Sequence, residues 1–193
     1  TVRSGNASGI TDSGTVTVGG NLAATTDANN GEINLGTLAV TGTVALATHG
    51  TGNATIDNGT ANLDIAASSV GGNLTLTSGN ASGITDSGTV TVGGNLAATT
   101  DANNGVINLG TLAVTGTVAL ATHGTGNATI DNGTANLDLA ASSVGGNLTL
   151  TSGAAAGITD SGTVTVGGNL AATTDLNNGV IDMGTLAVAG TVA

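Results

Sequence analysis

The chain has 193 residues and a formal net charge of −11, which comes from 12 acidic residues against a single base, Arg3. This balance excludes the Lys- and Arg-rich surfaces that bind nucleic acid or anionic membranes. There is no aromatic residue and no cysteine, but 39% of the residues are apolar. The composition therefore favours a thin fold with a narrow aliphatic core over disorder or a disulfide framework.

A long internal repeat dominates the chain. Residues 4–77 recur almost unchanged as 78–151, 74 positions later, and a partial third copy occupies 152–193. The first two copies differ at two pairs of positions, Glu32/Val106 and Ile65/Leu139. Such self-similarity is typical of solenoids, in which each unit packs only on its neighbours. We expect residues 1–193 to form one β-solenoid segment, cut from a longer repetitive chain.

Two matching coils are visible inside the repeat. Segments 71–92 and 93–114 are 22-residue coils of equal length, and both start with GGNL. Their apolar residues alternate in short bursts, as in Leu74/Leu76 and Val90/Val92, between clusters of Gly, Asn, Ser and Asp. Alternation with a period of two predicts strands, and the clusters predict turns. The sequence thus predicts an all-β fold of short strands stacked in parallel.

The third coil of the repeat is longer. Segment 115–144 opens like the other coils but forms a 30-residue coil. We therefore expect a 74-residue super-repeat of two 22-residue coils and one 30-residue coil, in which an extra loop or short hairpin projects at every third level. Parallel strands lie about 4.8 Å apart, so roughly eight coils would form a rod about 40 Å long. Lateral contacts between fibres are expected at the extra residues, near 62–70 and 136–144, which would recur every ~14 Å.

One position of the coil is always Asp or Asn, which predicts a ladder of stacked Asx side chains. Its members are Asp12, Asn34, Asp57, Asp86, Asn108, Asp131, Asp160 and Asp182. Turn capping is the favoured interpretation, and calcium binding is the alternative, since Ca²⁺ needs about six to eight oxygen ligands. The weak Ca²⁺ candidate is the pair Asp160 and Asp182, because two carboxylates on adjacent coils raise one pKa or recruit a cation. No other metal or cofactor site is predicted.

Two histidines, His49 and His123, occupy equivalent positions in the first two copies of the repeat. Three coils would separate them by ~14 Å, so they are predicted to be surface residues that share no metal. Catalytic residues are not predicted either. β-Helix enzymes that act on polysaccharides cluster carboxylates with Arg or Lys, whereas this chain has one Arg and repeats its carboxylates from copy to copy. We expect a protein that is not an enzyme.

Two surface patterns remain. Asn-x-Ser/Thr sequons, which permit glycosylation, begin at Asn6, Asn53, Asn58, Asn73, Asn80, Asn127, Asn132 and Asn147. Outward threonine pairs occur at Thr15/Thr17, Thr89/Thr91 and Thr163/Thr165. Flat Thr-x-Thr arrays are similar to the surfaces of ice-binding solenoids, but the next coil carries Ala113 at this place, which breaks the array. Ice binding is therefore the least favoured function.

The coils SGITDSGTVTVGGNLAATT and NGVINLGTLAVTGTVAL resemble the repeats of large secreted exoproteins of the filamentous-haemagglutinin type, exported by two-partner secretion, and of related giant bacterial adhesins. The resemblance covers the whole chain. It implies a right-handed parallel β-helix, the shaft of a long fibre on or released from the cell surface, with roles in adhesion, biofilm or toxin display.

The expected function is thus a structural shaft of an extracellular adhesin or fibre at the bacterial cell surface. The alternative is a subunit of a self-assembling extracellular filament or sheath. Expected partners are further copies of the chain, end to end or side by side, and a host or neighbouring cell surface. Neither nucleic acid nor membrane insertion is expected, because the chain lacks basic residues and any apolar run of the ~20 residues that span a bilayer.

Overall fold

The computed structural model describes residues 1–175 and 178–193. Within that part of the chain every regular element is a short β-strand, and the strand pairs are parallel. Most Leu, Ile and Val side chains of the strands are buried, whereas most of the Thr and Asn side chains are at least partly exposed. Gly and Asn occupy the turns, where Asn103, Asn104 and Gly124 adopt positive φ values. The predicted fold class, an all-β parallel β-solenoid, is confirmed.

The strands are numbered in chain order. The first ten are β1 (Val2–Ser4), β2 (Ile10–Thr11), β3 (Val16–Val18), β4 (Leu22–Thr26), β5 (Ile33–Leu35), β6 (Leu38–Val40), β7 (Thr43–Ala47), β8 (Ala54–Asp57), β9 (Leu63–Ile65) and β10 (Ser68–Val70). The next ten are β11 (Leu74–Ser78), β12 (Ile84–Asp86), β13 (Val90–Val92), β14 (Leu96–Thr100), β15 (Ile107–Leu109), β16 (Leu112–Val114), β17 (Thr117–Ala121), β18 (Ala128–Asp131), β19 (Leu137–Leu139) and β20 (Ser142–Val144). The last are β21 (Leu148–Ser152), β22 (Ile158–Asp160), β23 (Val164–Val166), β24 (Leu170–Thr174), β25 (Ile181–Asp182) and β26 (Leu186–Val188).

The strands line two faces of a rod, because the chain crosses from one face to the other at each half turn. From one end to the other, face A contains β1, β4, β7, β9/β10, β12/β13, β15/β16, β18, β21 and β24. Face B contains β2, β5, β8, β11, β14, β17, β19/β20, β22/β23 and β25/β26, and β3 and β6, which follow β2 and β5 in the chain, pair with each other as a separate two-stranded sheet. Each face alternates blocks of single strands with blocks of strand pairs that are separated by a kink.

The two faces enclose one continuous aliphatic core. Core residues stack in columns along the rod, as in Leu74, Leu96, Val118 and Leu139 of face B, which are register partners from coil to coil and are all at most 1% exposed. Burying a Leu or Val side chain contributes roughly 1.5–3 kcal/mol. Because each column continues from coil to coil, each coil is stabilised by the coils on either side of it.

The 74-residue repeat makes three and a half turns. In face B, seven steps between stacked strands lead from β2 to β22, and Ile10 and Ile158 at the starts of these strands are two repeats apart in the sequence. The two predicted 22-residue coils are present, since Leu74 pairs with Leu96 and Leu96 with Val118. The predicted 30-residue coil is wrong, because residues 115–144 fill one and a half turns.

The expected projecting loop is therefore also wrong. Its predicted positions, 62–70 and 136–144, form β9/β10 and β19/β20 within the wall of the rod, where Leu63 and Leu137 are fully buried. The extra residues of the segment supply an additional strand, β8 or β18, and its turn. A second consequence concerns the faces. Residues 74 positions apart lie on opposite faces, so that equivalent strands β4, β14 and β24 lie on faces A, B and A.

Two side chains replace backbone hydrogen bonds where single strands meet strand pairs. Strand β16 pairs with β13 alone among the described strands, and the buried Asn132 amide accepts the Val114 N–H (2.8 Å) and donates to the Val114 carbonyl (3.0 Å). On the other face, the Ser142 hydroxyl accepts the Leu120 N–H (3.0 Å) where β17 lies over β19/β20. Asn58 and Ser68 do the same in the first copy. These bonds keep buried backbone groups satisfied at each exchange of faces.

Candidate functional site

Three aspartates clamp the kinks between paired strands. The Asp160 carboxylate accepts hydrogen bonds from the Gly184 N–H (2.6 Å), the Thr185 N–H (2.9 Å) and the Thr185 hydroxyl (2.6 Å), all on the next coil. Asp12 and Asp86 make the same three bonds to the Gly-Thr kinks at 36–37 and 110–111. The carboxylate suits this place because it accepts several donors at once. These clamps tie one coil to the next.

The clamp sets the charge state of Asp160. The Thr185 hydroxyl is the largest cause of a lowered pKa at Asp160, and the Thr185 and Gly184 N–H groups lower it further against partial burial, which raises it. For Asp12, partial burial raises the pKa but is outweighed by the hydrogen bonds from Thr37 and Gly36, so that its pKa is also lowered. Asp160 is therefore not a carboxylate with the raised pKa that the sequence suggested.

The weak Ca²⁺ candidate spans two adjacent coils. Asp182 is the register partner of Thr159, so that the strand position of Asp160 is offset by one residue from that of Asp182. The Asp160 oxygens are already occupied by the clamp. Among the residues that the structure describes, no group of three or more His, Cys, Asp or Glu side chains could hold a metal ion. Calcium binding at Asp160 and Asp182 stays a prediction.

The predicted ladder of Asx side chains does not form. Asn34 stacks between Thr11 and Thr55 rather than between aspartates, and Asn108 stacks between Thr85 and Thr129. The aspartates of the set cap turns or kinks instead; Asp57 and Asp131, for example, accept the N–H groups of Gly59 and Gly133. The favoured interpretation as turn capping is confirmed for these aspartates, but the register that would stack them is wrong.

Asparagine ladders do exist at the two edges of the rod, where sequence reasoning missed them. At one edge the Asn53 side-chain carbonyl accepts the Asn73 N–H (2.8 Å), and Asn73 in turn accepts the Asn95 N–H (2.8 Å). The other edge repeats this with Asn127, Asn147 and Asn169. A Cβ on the glycines before Asn73, Asn95, Asn147 and Asn169 would collide with the amide oxygen of the preceding asparagine in the ladder, as a Cβ on Gly94 would with that of Asn73. The available signal was the recurrent Gly-Asn followed by apolar residues at alternate positions, as in Gly94-Asn95 before Leu96 and Ala98.

The histidines lie in turns at opposite edges of the rod. His49 is between β7 and β8, where the chain passes from face A to face B, and His123 is between β17 and β18, where it passes back. Both are exposed, and the His123 Nδ1 is 3.5 Å from the Asn104 backbone nitrogen. Three and a half turns separate them along the rod, about 17 Å. The structure does not bring them together, and no pocket is present in residues 1–175 and 178–193.

The sequons fall into two groups. Asn58 and Asn132 are buried and hold β6 and β16 through both atoms of their amides, so they cannot carry a glycan in the folded rod. The others lie at edges or in turns, where Asn53, Asn73, Asn127 and Asn147 use their amide oxygens in the edge ladders. Glycosylation of that second group stays a prediction.

The outward threonines are interrupted, as expected from the sequence. Thr17 is the register partner of Ala39, and Thr91 lies between Ser69 and Ala113. Each face thus shows a mixture of Thr, Ser and Ala. On the same faces, the Oδ1 atoms of Asp64 and Asp138 are buried and accept no hydrogen bond, although Asp138 stacks between Thr117 and Thr159. These two oxygens lower the stability of the fold, since an unpaired buried acceptor loses its hydration without gaining a hydrogen bond.

These features define a β-solenoid repeat protein. Its surface consists of two sheet faces and two edges with asparagine ladders, and aspartates bind the kinks between paired strands. No described helix is long and apolar enough to cross a membrane. The model of a family of repeats of unknown function, DUF5649, matches residues 51–120 and 125–179, more than half of the chain, and the chain belongs to this family. The two matches begin at Thr51 and Thr125, one repeat apart. No curated protein and no solved structure matches the chain.

Proposed function

We propose that the chain is a non-enzymatic structural segment, the shaft of a large secreted bacterial surface adhesin or fibre. The observation that carries the proposal is the uniform stack. The core columns, kink clamps and edge ladders recur in each repeat, so that one more 74-residue copy adds three and a half turns, about 17 Å, with the same cross-section. A rod that lengthens by duplication suits a part that provides reach. The extracellular location rests on the resemblance to secreted exoproteins.

A second candidate function is a subunit of a self-assembling extracellular filament or sheath. The observation that favours it is the exchange of faces, because a rod with equivalent surfaces on both sides can contact a neighbour on each side. Ice binding is disfavoured by the interruption of the threonine columns at Ala39 and Ala113.

Electron microscopy of the native material separates the two candidates. An adhesin shaft gives one fibre per chain with a distinct head, and its length grows by about 17 Å for each 74-residue repeat in the full-length chain. A filament subunit gives a polymer with a regular subunit spacing that is independent of repeat number. A compact particle whose dimensions do not follow the number of repeats would contradict both.

A further inference from the structure

The two edges of the rod carry turns of different size. Turns of six residues, 101–106 and 122–127, stack at one edge on the turn 79–83, and the three together form a wide-turn block. At the opposite edge of the same coils the chain turns within three residues at 93–95 and within two at 115–116. The two edges of these coils are therefore unequal.

Hydrogen bonds fix the shape of the wide-turn block. The Asn103 side-chain amide donates to the Gly79 carbonyl of the coil before it (2.7 Å). The Asn104 side-chain carbonyl accepts the Thr125 N–H of the coil after it (3.1 Å). Asn103 and Thr125 are exposed, so the block presents polar groups in one defined arrangement at its edge.

The first copy of the repeat builds the same block at the other edge. There the Asn30 side-chain carbonyl accepts the Thr51 N–H (3.1 Å). The turn 48–53 takes the chain from face A to face B, whereas 122–127 takes it from face B to face A. A repeat of three whole turns would stack both blocks at one edge. The half turn instead places them at opposite edges, about 17 Å apart along the rod.

The segment 115–144 causes this exchange of edges. The 22-residue coils that precede it return the chain to the edge from which it started, because Leu96 is the register partner of Leu74 on one side and of Val118 on the other. Within the segment, the additional strand β18 and its turn add half a turn. Every coil therefore lengthens the rod, but the segment also changes the side to which the chain that follows is directed.

We propose that the half turn in each repeat sets the side of the rod on which the wide-turn block, and the chain that follows it, is presented. One added repeat lengthens the rod by about 17 Å and turns the following part to the opposite side, whereas two added repeats lengthen it by about 34 Å without turning it. A surface that runs along one edge therefore meets an equivalent block in every second repeat. This inference rests on the proposed function, because a shaft positions what it carries by direction as well as by reach.

Distances between spin labels test this inference in the 193-residue chain, which contains no cysteine of its own. Pulsed electron paramagnetic resonance compares the pair Thr51→Cys/Thr125→Cys with the pair Thr51→Cys/Thr134→Cys, since all three threonines are exposed in turns. Thr125 lies at the edge opposite to Thr51, and Thr134 lies half a turn further on, at the same edge as Thr51. Crossing the rod adds at least the length of a five-residue strand, about 16 Å, whereas half a turn adds about 2.4 Å. The distance in the Thr125 pair should therefore exceed that in the Thr134 pair by about 4 Å or more.

Two insertions after Val114 separate direction from length. A second copy of residues 41–114, one 74-residue repeat, adds three and a half turns, and a second copy of residues 71–114 adds two whole turns as the matched control. Both insertions recreate sequence junctions that the chain already contains, and circular dichroism checks that each variant folds. If an insertion fails to fold, the chain without insertion still decides the case, because a Thr125 pair that is no longer than the Thr134 pair would overturn the inference.

The order of the two distances gives the result. The order should stay the same in the control and reverse in the repeat insertion, where Thr51 and Thr125 come to lie at one edge, about 34 Å apart, and the Thr134 pair becomes the longer one. An order that the repeat insertion leaves unchanged, or that the control reverses, would overturn the inference while the rod still lengthens. If neither distance grows in either insertion, the chain does not extend as a rod, and the proposed function fails as well.

Discussion

The two parts of each repeat, the 22-residue coils and the segment of one and a half turns, share the same core chemistry but differ in their effect on the rod. In residues 71–114, each coil returns the chain to the face from which it started, so that single strands stack on single strands. In residues 115–144 the additional strand β18 shifts the chain by half a turn, so that a strand pair follows a single strand on face B and a single strand follows a strand pair on face A. The regular coils set the length of the rod, and the longer segment makes its two sides equivalent.

The largest expected effect tests whether the longer segment belongs to the core. Leu137 in β19 and Leu96 in β14 are both at most 1% exposed, so each Leu→Ala substitution should cost about 2–5 kcal/mol of unfolding free energy. Chemical denaturation followed by circular dichroism measures both. If Leu137→Ala costs less than about 1 kcal/mol while Leu96→Ala costs several, the longer segment is a surface loop and does not share the core of the 22-residue coils.

The next largest effect is expected at Asn132, whose side chain replaces the missing strand partner of Val114 where a strand pair gives way to a single strand. Its replacement by Ala leaves the buried Val114 N–H and C=O without partners, which should cost about 2–4 kcal/mol in the same denaturation assay. Asn147→Ala is the matched control, since this edge asparagine is exposed and its side chain accepts one backbone N–H; about 1 kcal/mol is expected. Equal losses would show that Asn132 has no special role.

Asp160 predicts a pH dependence. Its folded-state pKa is lowered, so its stabilising contribution is present above the unfolded-state pKa, near 4, and is lost as the pH falls through the folded value. At pH 7, Asp160→Asn should cost about 1 kcal/mol through weaker hydrogen bonds to the kink. The difference between variant and wild type in the thermal midpoint should shrink between pH 5 and pH 3. A difference that is constant over this range would contradict the clamp.

The smallest expected effect is an increase in stability. Asp138→Asn removes the charge from a carboxylate whose Oδ1 is buried without a partner, and should stabilise the rod by roughly 1 kcal/mol. Asn108 already occupies an outward strand position between two threonines, as Asp138 does. Asp175→Asn at an exposed turn makes the same change of net charge and serves as control. Equal gains in the two variants would show relief of general repulsion rather than removal of the unpaired oxygen.

Much of the fold follows from the sequence, because alternation and turn clusters are local signals. The 22-residue coils were also predictable from GGNL. The additional half turn in each repeat could not be predicted from GGNL, because this motif marks only some of the positions where the chain starts a new strand at the edge of the rod. The same edge position is occupied by Asn127 before Ala128, so Gly-Asn followed by apolar residues at alternate positions, here Ala128 and Ile130, would have revealed strand β18.

The candidate site illustrates a different limit. Asp160 and Asp182 occupy similar places in their coils by sequence, but a shift of one residue separates the strand position of one from that of the other. Register depends on pairing between residues that are distant in sequence, and turn lengths change it by one or two positions. The kink clamps therefore became visible only once strand partners such as Leu139 and Asp160 were known.

Disulfide trapping tests the three and a half turns most directly, because the chain contains no cysteine. Thr129 and Thr149 are register partners on face A, and adjacent parallel strands lie about 4.8 Å apart, within the range that a disulfide can bridge. A 30-residue coil would instead place Ala119 beside Thr149. Under mild oxidation, the pair Thr129→Cys/Thr149→Cys should close, and the pair Ala119→Cys/Thr149→Cys should stay reduced, as measured by intact mass. Closure of the second pair with the first left open would contradict the exchange of faces.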